Sequence, residues 1–178
     1  MRRHAAAIAL TLAAIGGCAA HTTVSGGVYR APHTSYRLGP LGRSWQPHDS
    51  DADVAFYDRD LDAMIMVTSE CPPEHDAPLK VAANTLLIGF TERQTLVEEL
   101  VPLAGREALH RRVRARLDGV PLTLDLFVVK KDECLYDLVY LAPPDTAGRG
   151  AADFRRLVAG FDTVEGGERL AQRASRSP

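Results

Sequence analysis

Hydrophobic and polar residues alternate along two segments that flank Asp118-Gly119. An Asp-Gly pair favours a two-residue type I′ turn between antiparallel strands. Folding the chain at this turn makes one face of the hairpin apolar throughout. The residues of that face are Val113, Ala115, Leu117, Val120, Leu122 and Leu124. The turn chemistry and the hydrophobic pattern therefore predict the same strand register.

Three further segments have strand patterns. The apolar segments 54–57 and 63–67 flank the polar stretch 58–62, which predicts a hairpin with a longer loop. Residues 135–141 form another β-rich segment, which ends before Pro143-Pro144. The sequence thus predicts strands on both sides of its clearest hairpin.

Two segments have apolar residues at helical spacing. The first follows Asp76, a suitable N-cap, and Pro78, and it ends near Gly89. Its apolar positions are Leu79, Ala82, Ala83, Leu86, Leu87 and Phe90. The second has Phe154, Leu157, Val158 and Phe161 on one helical face. Two helices and six or seven strands, joined mostly by hairpins, predict an α+β domain with an antiparallel sheet.

Four features are shared with a known group of folds: the element order, Gly105-Arg106-Glu107-Ala108 before a strand, the Asp118-Gly119 turn and the closing helix at 154–161. In these features the chain resembles the Mog1/PsbP-like group of α/β/α sandwiches, in which an antiparallel sheet is covered by helices. The resemblance implies this fold. None of the shared elements is a catalytic motif, so the resemblance assigns no function and no ligand-binding residue.

The predicted domain covers residues 36–163. The preceding stretch 18–35 is poor in large apolar residues and contains Gly26-Gly27, which predicts a flexible tether. Residues 164–178 are charged and contain a pair of glycines, which predicts a flexible C-terminal tail. The alternative is a single helical turn around Leu170.

The N-terminus has the layout of a signal peptide. Met1 to His4 form a short basic head, and residues 5–17 form an apolar stretch too short to span a bilayer as a helix. Ile15-Gly16-Gly17-Cys18 resembles the lipobox of bacterial lipoproteins. The resemblance implies removal of residues 1–17 and acylation of the Cys18 thiol and of the new amino group. An ordinary signal peptide with an incidental cysteine is the alternative.

The lipid on Cys18 would be the sole predicted membrane anchor, because no other segment is long and apolar enough to span. In the lipoprotein family an Asp after the cysteine commonly retains the protein in the inner membrane. Ala19 occupies that position. The resemblance therefore implies a lipid-anchored protein of the cell envelope, at the outer membrane.

The charge balance excludes bulk attraction to nucleic acid. Removal of Arg2 and Arg3 leaves 19 of the 21 basic residues against 23 acidic ones, which makes the mature chain mildly acidic. The partners expected from the sequence are the membrane, through the lipid, and another envelope protein.

Cys71 and Cys134 remain once Cys18 is lipidated. Exported proteins mature where disulfides persist, and both residues lie at predicted strand ends. The sequence favours a structural Cys71–Cys134 disulfide, with two separate buried thiols as the alternative. No C-x-x-C motif indicates a redox site.

The predicted ligand face consists of His110, Arg112, Arg114 and Arg116, which alternate along one strand. Such a row could clamp an anion. The alternative is a solvated face, or one paired with acids such as Asp125.

Two other clusters contain side chains of the kinds that bind metal ions. Residues 71–76 place a thiol, an imidazole and carboxylates close together, and Asp58, Asp60 and Asp62 alternate as in a calcium loop. Neither cluster has the spacing of a complete site, and a loop is the simpler interpretation of both. No metal site and no cofactor is predicted.

No nucleophile elbow, zinc-protease helix or phosphate-binding loop is present in the sequence. We therefore predict no catalytic residue and no enzyme activity. The favoured function is a non-catalytic, lipid-anchored envelope module that binds another protein or supports an assembly. The alternative is a module that binds a small ligand or ion on the basic strand face or in the aspartate loop.

Overall fold

The computed structural model describes residues 27–71 and 76–164, together with the backbone of Thr23–Ser25. The predicted signal peptide at 1–17, the lipidation site Cys18 and the chain after residue 164 lie outside the described residues.

The described part of the chain contains eleven strands and two helices. In chain order they are β1 Thr23–Ser25, β2 Val28–Arg30, β3 Ser35–Arg37, β4 Gln46–Pro47, β5 Val54–Asp58, β6 Ala63–Glu70, α1 Leu79–Thr85, β7 Thr91–Leu103, β8 Arg106–Leu117, β9 Val120–Lys131, β10 Cys134–Ala142, α2 Ala147–Ala159 and β11 Asp162–Thr163.

Seven strands form one antiparallel sheet in the order β4-β5-β6-β10-β9-β8-β7. The four strands β1-β2-β3-β11 form a smaller sheet. The prediction of an α+β domain built on a large antiparallel sheet is confirmed. The smaller sheet was not predicted.

The β8–β9 hairpin has the predicted register. Leu117 lies opposite Val120, and the pairing continues without a shift to Ala108 opposite Val129. Asp118 and Gly119 both have positive φ, as a type I′ turn requires. Local turn chemistry and side-chain alternation therefore set this register together.

Each face of the large sheet has its own hydrophobic core. Helix α1 packs on a cluster that includes Leu109, Val113, Leu124 and Leu126. Helix α2 and the smaller sheet cover the opposite face, where the buried side chains include Tyr36, Trp45, Tyr136, Tyr140 and Phe154. The helices thus sandwich the sheet, as the resemblance implied.

The backbone of residue 39 packs directly against the last turns of α2. The Gly39 N–H donates to the Leu157 carbonyl at 2.9 Å. A Cβ at Gly39 would lie 1.9 Å from the Arg156 carbonyl oxygen, and a Cβ at Gly160 would lie 2.3 Å from the Cα of Gly39. Only glycine fits this contact at either position.

Two predicted boundaries are corrected by the structure. Strands β1 and β2 lie within the stretch 18–35 that we predicted to be a tether. Strand β1 pairs with β2, and β2 pairs with β3. Tyr29 of β2 stacks on Tyr36 at 5.8 Å between ring centroids, which ties this stretch to the core. The ordered domain therefore begins before residue 36.

Helix α1 is shorter than predicted and has a different start. Its N-cap position is Pro78, with no side-chain capping bond. Asp76, the predicted N-cap, instead forms an ion pair with Lys130 of β9. The apolar positions up to Phe90 continue in turns after Thr85.

The structure contains the predicted Cys71–Cys134 disulfide. Glu70 at the end of β6 lies opposite Leu135 in β10, so the next pair outward brings the two cysteines face to face. Their Cα atoms are 4.4 Å apart. The bond closes the end of the β6–β10 ladder.

Candidate functional site

The four residues of the predicted ligand face lie on one side of β8. They stand opposite Phe127, Asp125, Thr123 and Pro121 of β9, in the order His110, Arg112, Arg114 and Arg116. This is the α2 side of the sheet, because the residues between them, including Val113 and Ala115, belong to the core under α1.

Asp125 is the centre of a charged network on this face. It is 2 % exposed. One of its oxygens lies 2.7 Å from His110 Nε2, and the other accepts from Arg112 Nε at 3.0 Å and Nη2 at 2.5 Å. His110 Nδ1 lies 3.0 Å from Glu99 Oε1, and the imidazole stacks on Phe127 at 4.3 Å between ring centroids.

The network shifts both of its central pKa values. Burial acts to raise the pKa of Asp125, but the hydrogen bonds from His110 and Arg112 outweigh it and hold the pKa below its ordinary value. Hydrogen bonding to Asp125 raises the pKa of His110 against the opposing effect of burial, and Glu99 adds to the increase. Both shifts favour the ionised pair.

The fourth residue of the face, Arg116, is also paired. Its Nε lies 3.0 Å from Glu92 Oε2, and Nη1 donates to the Gly119 carbonyl at 2.6 Å. Arg114 is exposed, and within the residues that the structure describes it has no hydrogen-bond or ion-pair partner. Three of the four predicted ligand residues are therefore neutralised by acids, and Arg114 keeps its charge available.

A cavity of about 200 Å³ lies beside Arg114, between the strands and the first half of α2. Its polar lining is Arg112, Arg114, Thr123 and Asp125. Its remaining lining residues are Leu96, Tyr140, Pro144, Ala147, Gly148 and Ala151. Burial raises the pKa of Tyr140 to about 12, so this phenol adds no negative charge near neutral pH.

A second surface lies at the β7 edge of the large sheet. Strand β7 is thirteen residues long, and within the part of the chain that the structure describes it pairs on one side only, with β8. Leu96 and Leu100 are 40 % and 58 % exposed. A groove of about 430 Å³ beside the strand is lined by Leu79, Lys80, Glu98, Glu99, Leu100, Glu107 and Leu109.

Arg111 fixes α1 against this edge. It is 3 % exposed, donates from Nη1 to Asn84 Oδ1 at 2.7 Å and pairs through Nη2 with Glu98 at 2.7 Å. Glu98 also pairs with Lys80 at 2.7 Å. Sequence reasoning missed Arg111, because it lies at an apolar position of the alternating pattern.

Asp137 of β10 is a second charged residue on the α1 side of the sheet that sequence reasoning missed. Burial raises its pKa to about 7, and the nearby Glu70 adds to the increase. Its Oδ1 has no hydrogen-bond partner among the described residues. An Asp in the middle of an apolar strand was the only sequence signal of this group.

The aspartate loop and the cluster at residues 71–76 were the two candidate metal sites. The described residues of both clusters have other roles, and part of the second cluster lies outside the described residues. Asp58 is 2 % exposed, and its Oδ1 accepts from the backbone N–H groups of Asp60 at 3.0 Å and Leu61 at 3.2 Å, which closes the β5–β6 turn. Cys71 is in the disulfide, and residues 72–75 are outside the described residues. Across the described ranges, no three His, Cys, Asp or Glu residues are grouped to hold a metal ion.

No helix within the described residues has the length and apolar composition needed to cross a membrane.

Comparisons with known proteins place the fold. No protein-family model and no curated protein matches the sequence. Among solved structures, LpqN of Mycobacterium tuberculosis, a protein involved in cell envelope biogenesis, is similar with a TM-score of 0.55 and 12 % identity. The match covers 74 % of this chain and 86 % of LpqN.

The cyanobacterial PsbP protein, CyanoP, of Synechocystis sp. PCC 6803 is similar with a TM-score of 0.53 and 14 % identity. This match covers 87 % of this chain and 99 % of CyanoP. At identities this low, the structural similarity establishes the fold alone. The function has to be inferred from the residues of this chain. The chain has a PsbP-like fold.

Proposed function

We propose that the protein is a non-catalytic module of the cell envelope, anchored by lipid on Cys18, that binds an extended segment of another envelope protein at the β7 edge. The observation that carries the proposal is the thirteen-residue edge strand with a groove beside it. LpqN, which shares the fold, is involved in cell envelope biogenesis, and this similarity supports a location in the cell envelope.

Strand β7 offers backbone hydrogen-bonding groups to a partner. Its first half has register shifts between Thr91 and Gln94 and between Thr95 and Val97, which disturb pairing with a further strand. From Val97 to Leu103 the pairing with β8 is regular. This regular part can accept an added strand, the mode of recognition in which main-chain bonds supply affinity and side-chain pockets supply specificity.

The residues that line the groove determine which side chains of a partner would bind there. Leu79, Leu100 and Leu109 form its apolar lining and suit one apolar side chain of the added strand. Among the charged residues of the groove, Lys80 pairs with Glu98 and Glu99 pairs with His110. Glu107 is left to favour a basic residue next to that apolar side chain. We therefore expect a partner segment that combines apolar and basic residues.

A photocrosslinking amino acid at Leu100 should form one discrete adduct with an envelope protein in intact cells. Leu100 is the most exposed apolar residue of β7, so an added strand must pass within reach of it. The adduct is measured by immunoblot and identified by mass spectrometry. The matched control places the same amino acid at Arg155, which is exposed on α2.

A second substitution tests whether the Leu100 adduct depends on the groove. Glu107→Lys reverses a charge at the groove and should reduce the Leu100 adduct severalfold with no change in the amount of protein. Equal adducts at Leu100 and Arg155, or an adduct that Glu107→Lys leaves unchanged, would contradict binding at the β7 edge.

Replacement of Cys18 by serine should move the protein from the membrane fraction to the soluble fraction. The thiol is the predicted acylation site, and each buried lipid methylene contributes about 0.8 kcal/mol to membrane binding. Fractionation followed by immunoblotting measures the change. Unchanged membrane attachment of the variant would exclude lipid on Cys18 as the main anchor.

A further inference from the structure

The cavity between α2 and the large sheet is independent of the β7 groove. Its wall is formed by strands β7, β8, β9 and β10 and by the first two turns of α2, with Leu96 as the contribution of β7. Its volume of about 200 Å³ lies below the roughly 300–1,000 Å³ of sites for drug-sized ligands. An occupant must therefore be a small molecule.

The charges around the cavity leave one positive charge unbalanced. Arg112 and Asp125 neutralise each other through two hydrogen bonds, and the other oxygen of Asp125 faces His110. Arg114 is the third charged residue of the lining, and it has no partner among the described residues. The cavity is therefore suited to an occupant with a single negative charge.

The first turn of α2 forms the opposite wall of the cavity. It adds a positive electrostatic potential and the backbone N–H group of Gly148. The backbone amides of Ala147 and Arg149, at the start of α2, donate to Pro143 and Thr146. Within the described residues the amide of Gly148 between them has no backbone acceptor, as is usual in the first turn of a helix. The first turn of α2, at the positive end of the helix dipole, lines the same cavity as Arg114.

The rest of the lining is apolar. Leu96, Pro144, Ala147 and Ala151 contribute carbon surface, together with the ring of Tyr140. Inorganic phosphate and sulfate have no apolar part to place against this surface. An organic anion can place its charged group on Arg114 and its carbon skeleton on these residues.

We propose that this cavity binds a small organic carboxylate, held by Arg114. A planar guanidinium matches a carboxylate through two parallel N–H···O bonds, a geometry that a single point charge does not offer. Thr123, which is 8 % exposed and lies opposite Arg114 in the hairpin, supplies a hydroxyl at the same wall. Arg112 and Asp125 also line the cavity, but they are bonded to each other, so Arg114 supplies the charge that binds the carboxylate.

The test is an NMR titration of the full chain in detergent with benzoate, and with benzamide as its uncharged isostere. Benzoate should shift the amide signals of Arg114 and of the first turns of α2. Benzamide and inorganic phosphate should each bind at least about tenfold more weakly, because one lacks the charge and the other lacks the apolar part.

Three variants assign the effect to the cavity. Arg114→Gln should weaken benzoate binding at least about tenfold, whereas Arg155→Gln, on the exposed side of α2, should leave it unchanged. Gly148→Leu should also weaken binding, because Gly148 lines the cavity, an added Cβ meets no atom within 4 Å, and a larger side chain there would take up space that benzoate needs.

Several outcomes would overturn the proposal: no shift with benzoate, equal affinity for benzamide or phosphate, or wild-type affinity in Arg114→Gln. The fluorescence of Trp45, which is 5 % exposed and bonds to Asp153 of α2 at 3.0 Å, reports whether each variant is folded. Failure of carboxylate binding leaves the β7 proposal untouched, because the two sites share no lining residue.

Discussion

A Gly39→Ala variant is expected to lose about 3 kcal/mol or more of its free energy of unfolding. The added Cβ would lie 1.9 Å from the carbonyl oxygen of Arg156 and 3.1 Å from the Cα of Leu157. Both are backbone atoms, so no side-chain rotation can relieve the overlap. The segment around residue 39 would have to move away from α2, which would break the hydrogen bond from Gly39 to Leu157.

Urea unfolding followed by Trp45 fluorescence measures this loss, because Trp45 is the single tryptophan and is buried against α2. Gly148→Ala, on the helix that Gly39 contacts, is the control. Its Cβ meets no atom within 4 Å, and Ala in place of a helical Gly should stabilise the protein by up to about 1 kcal/mol. Equal unfolding midpoints for Gly39→Ala and the wild type would show that the contact with α2 is not as close as described.

Removal of the disulfide by the double change Cys71→Ala and Cys134→Ala should lower the free energy of unfolding by about 4 kcal/mol. The two cysteines are 63 positions apart, so the bond closes a large loop and restricts the unfolded chain strongly. Cys134 is also 2 % exposed, and the shorter side chain adds a small packing loss.

The same urea assay with and without reductant separates these two contributions. The reduced wild type and the double variant should unfold at similar urea concentrations, well below the oxidised wild type. Reductant should have no effect on the double variant. An oxidised wild type with the same midpoint as the reduced protein would contradict a stabilising role of the bond.

The parts of the fold that were predictable are those with local signals. The β8–β9 register follows from a two-residue turn and from alternation over the adjacent positions, so no distant contact was needed to derive it. The disulfide was predictable because both cysteines lie at the ends of strands with clear patterns. Helix α2 was predictable because its buried face holds large apolar residues.

Strand β7 was not predicted, because it has few of these signals. Most of its residues are exposed, since the strand lies at the sheet edge, and two register shifts break its alternation. The consequence extends to the candidate site. Glu92 and Glu99 lie on β7 and pair with Arg116 and His110, so the neutralisation of the basic face could not be derived without that strand.

The smaller sheet was missed for a different reason. Strands β1, β2 and β11 are two or three residues long, too short for a periodic pattern. Their pairing depends on contacts between segments far apart in the chain, such as Asp162 opposite Arg37. Sequence patterns over a local window contain no information on such pairs.

The pairing of β11 with β3 also sets the order in which the domain can assemble. Thr163 lies opposite Tyr36, so this ladder closes almost the whole described chain into one loop. Bringing such distant segments together is entropically less favourable than closing the neighbouring β8–β9–β10 strands. A chain that crosses a membrane with its N-terminus first, as the lipobox resemblance implies, cannot complete the smaller sheet until β11 has emerged. Until then Tyr36 lacks β11, one of the two strands that border β3, and its ring contact with Phe161.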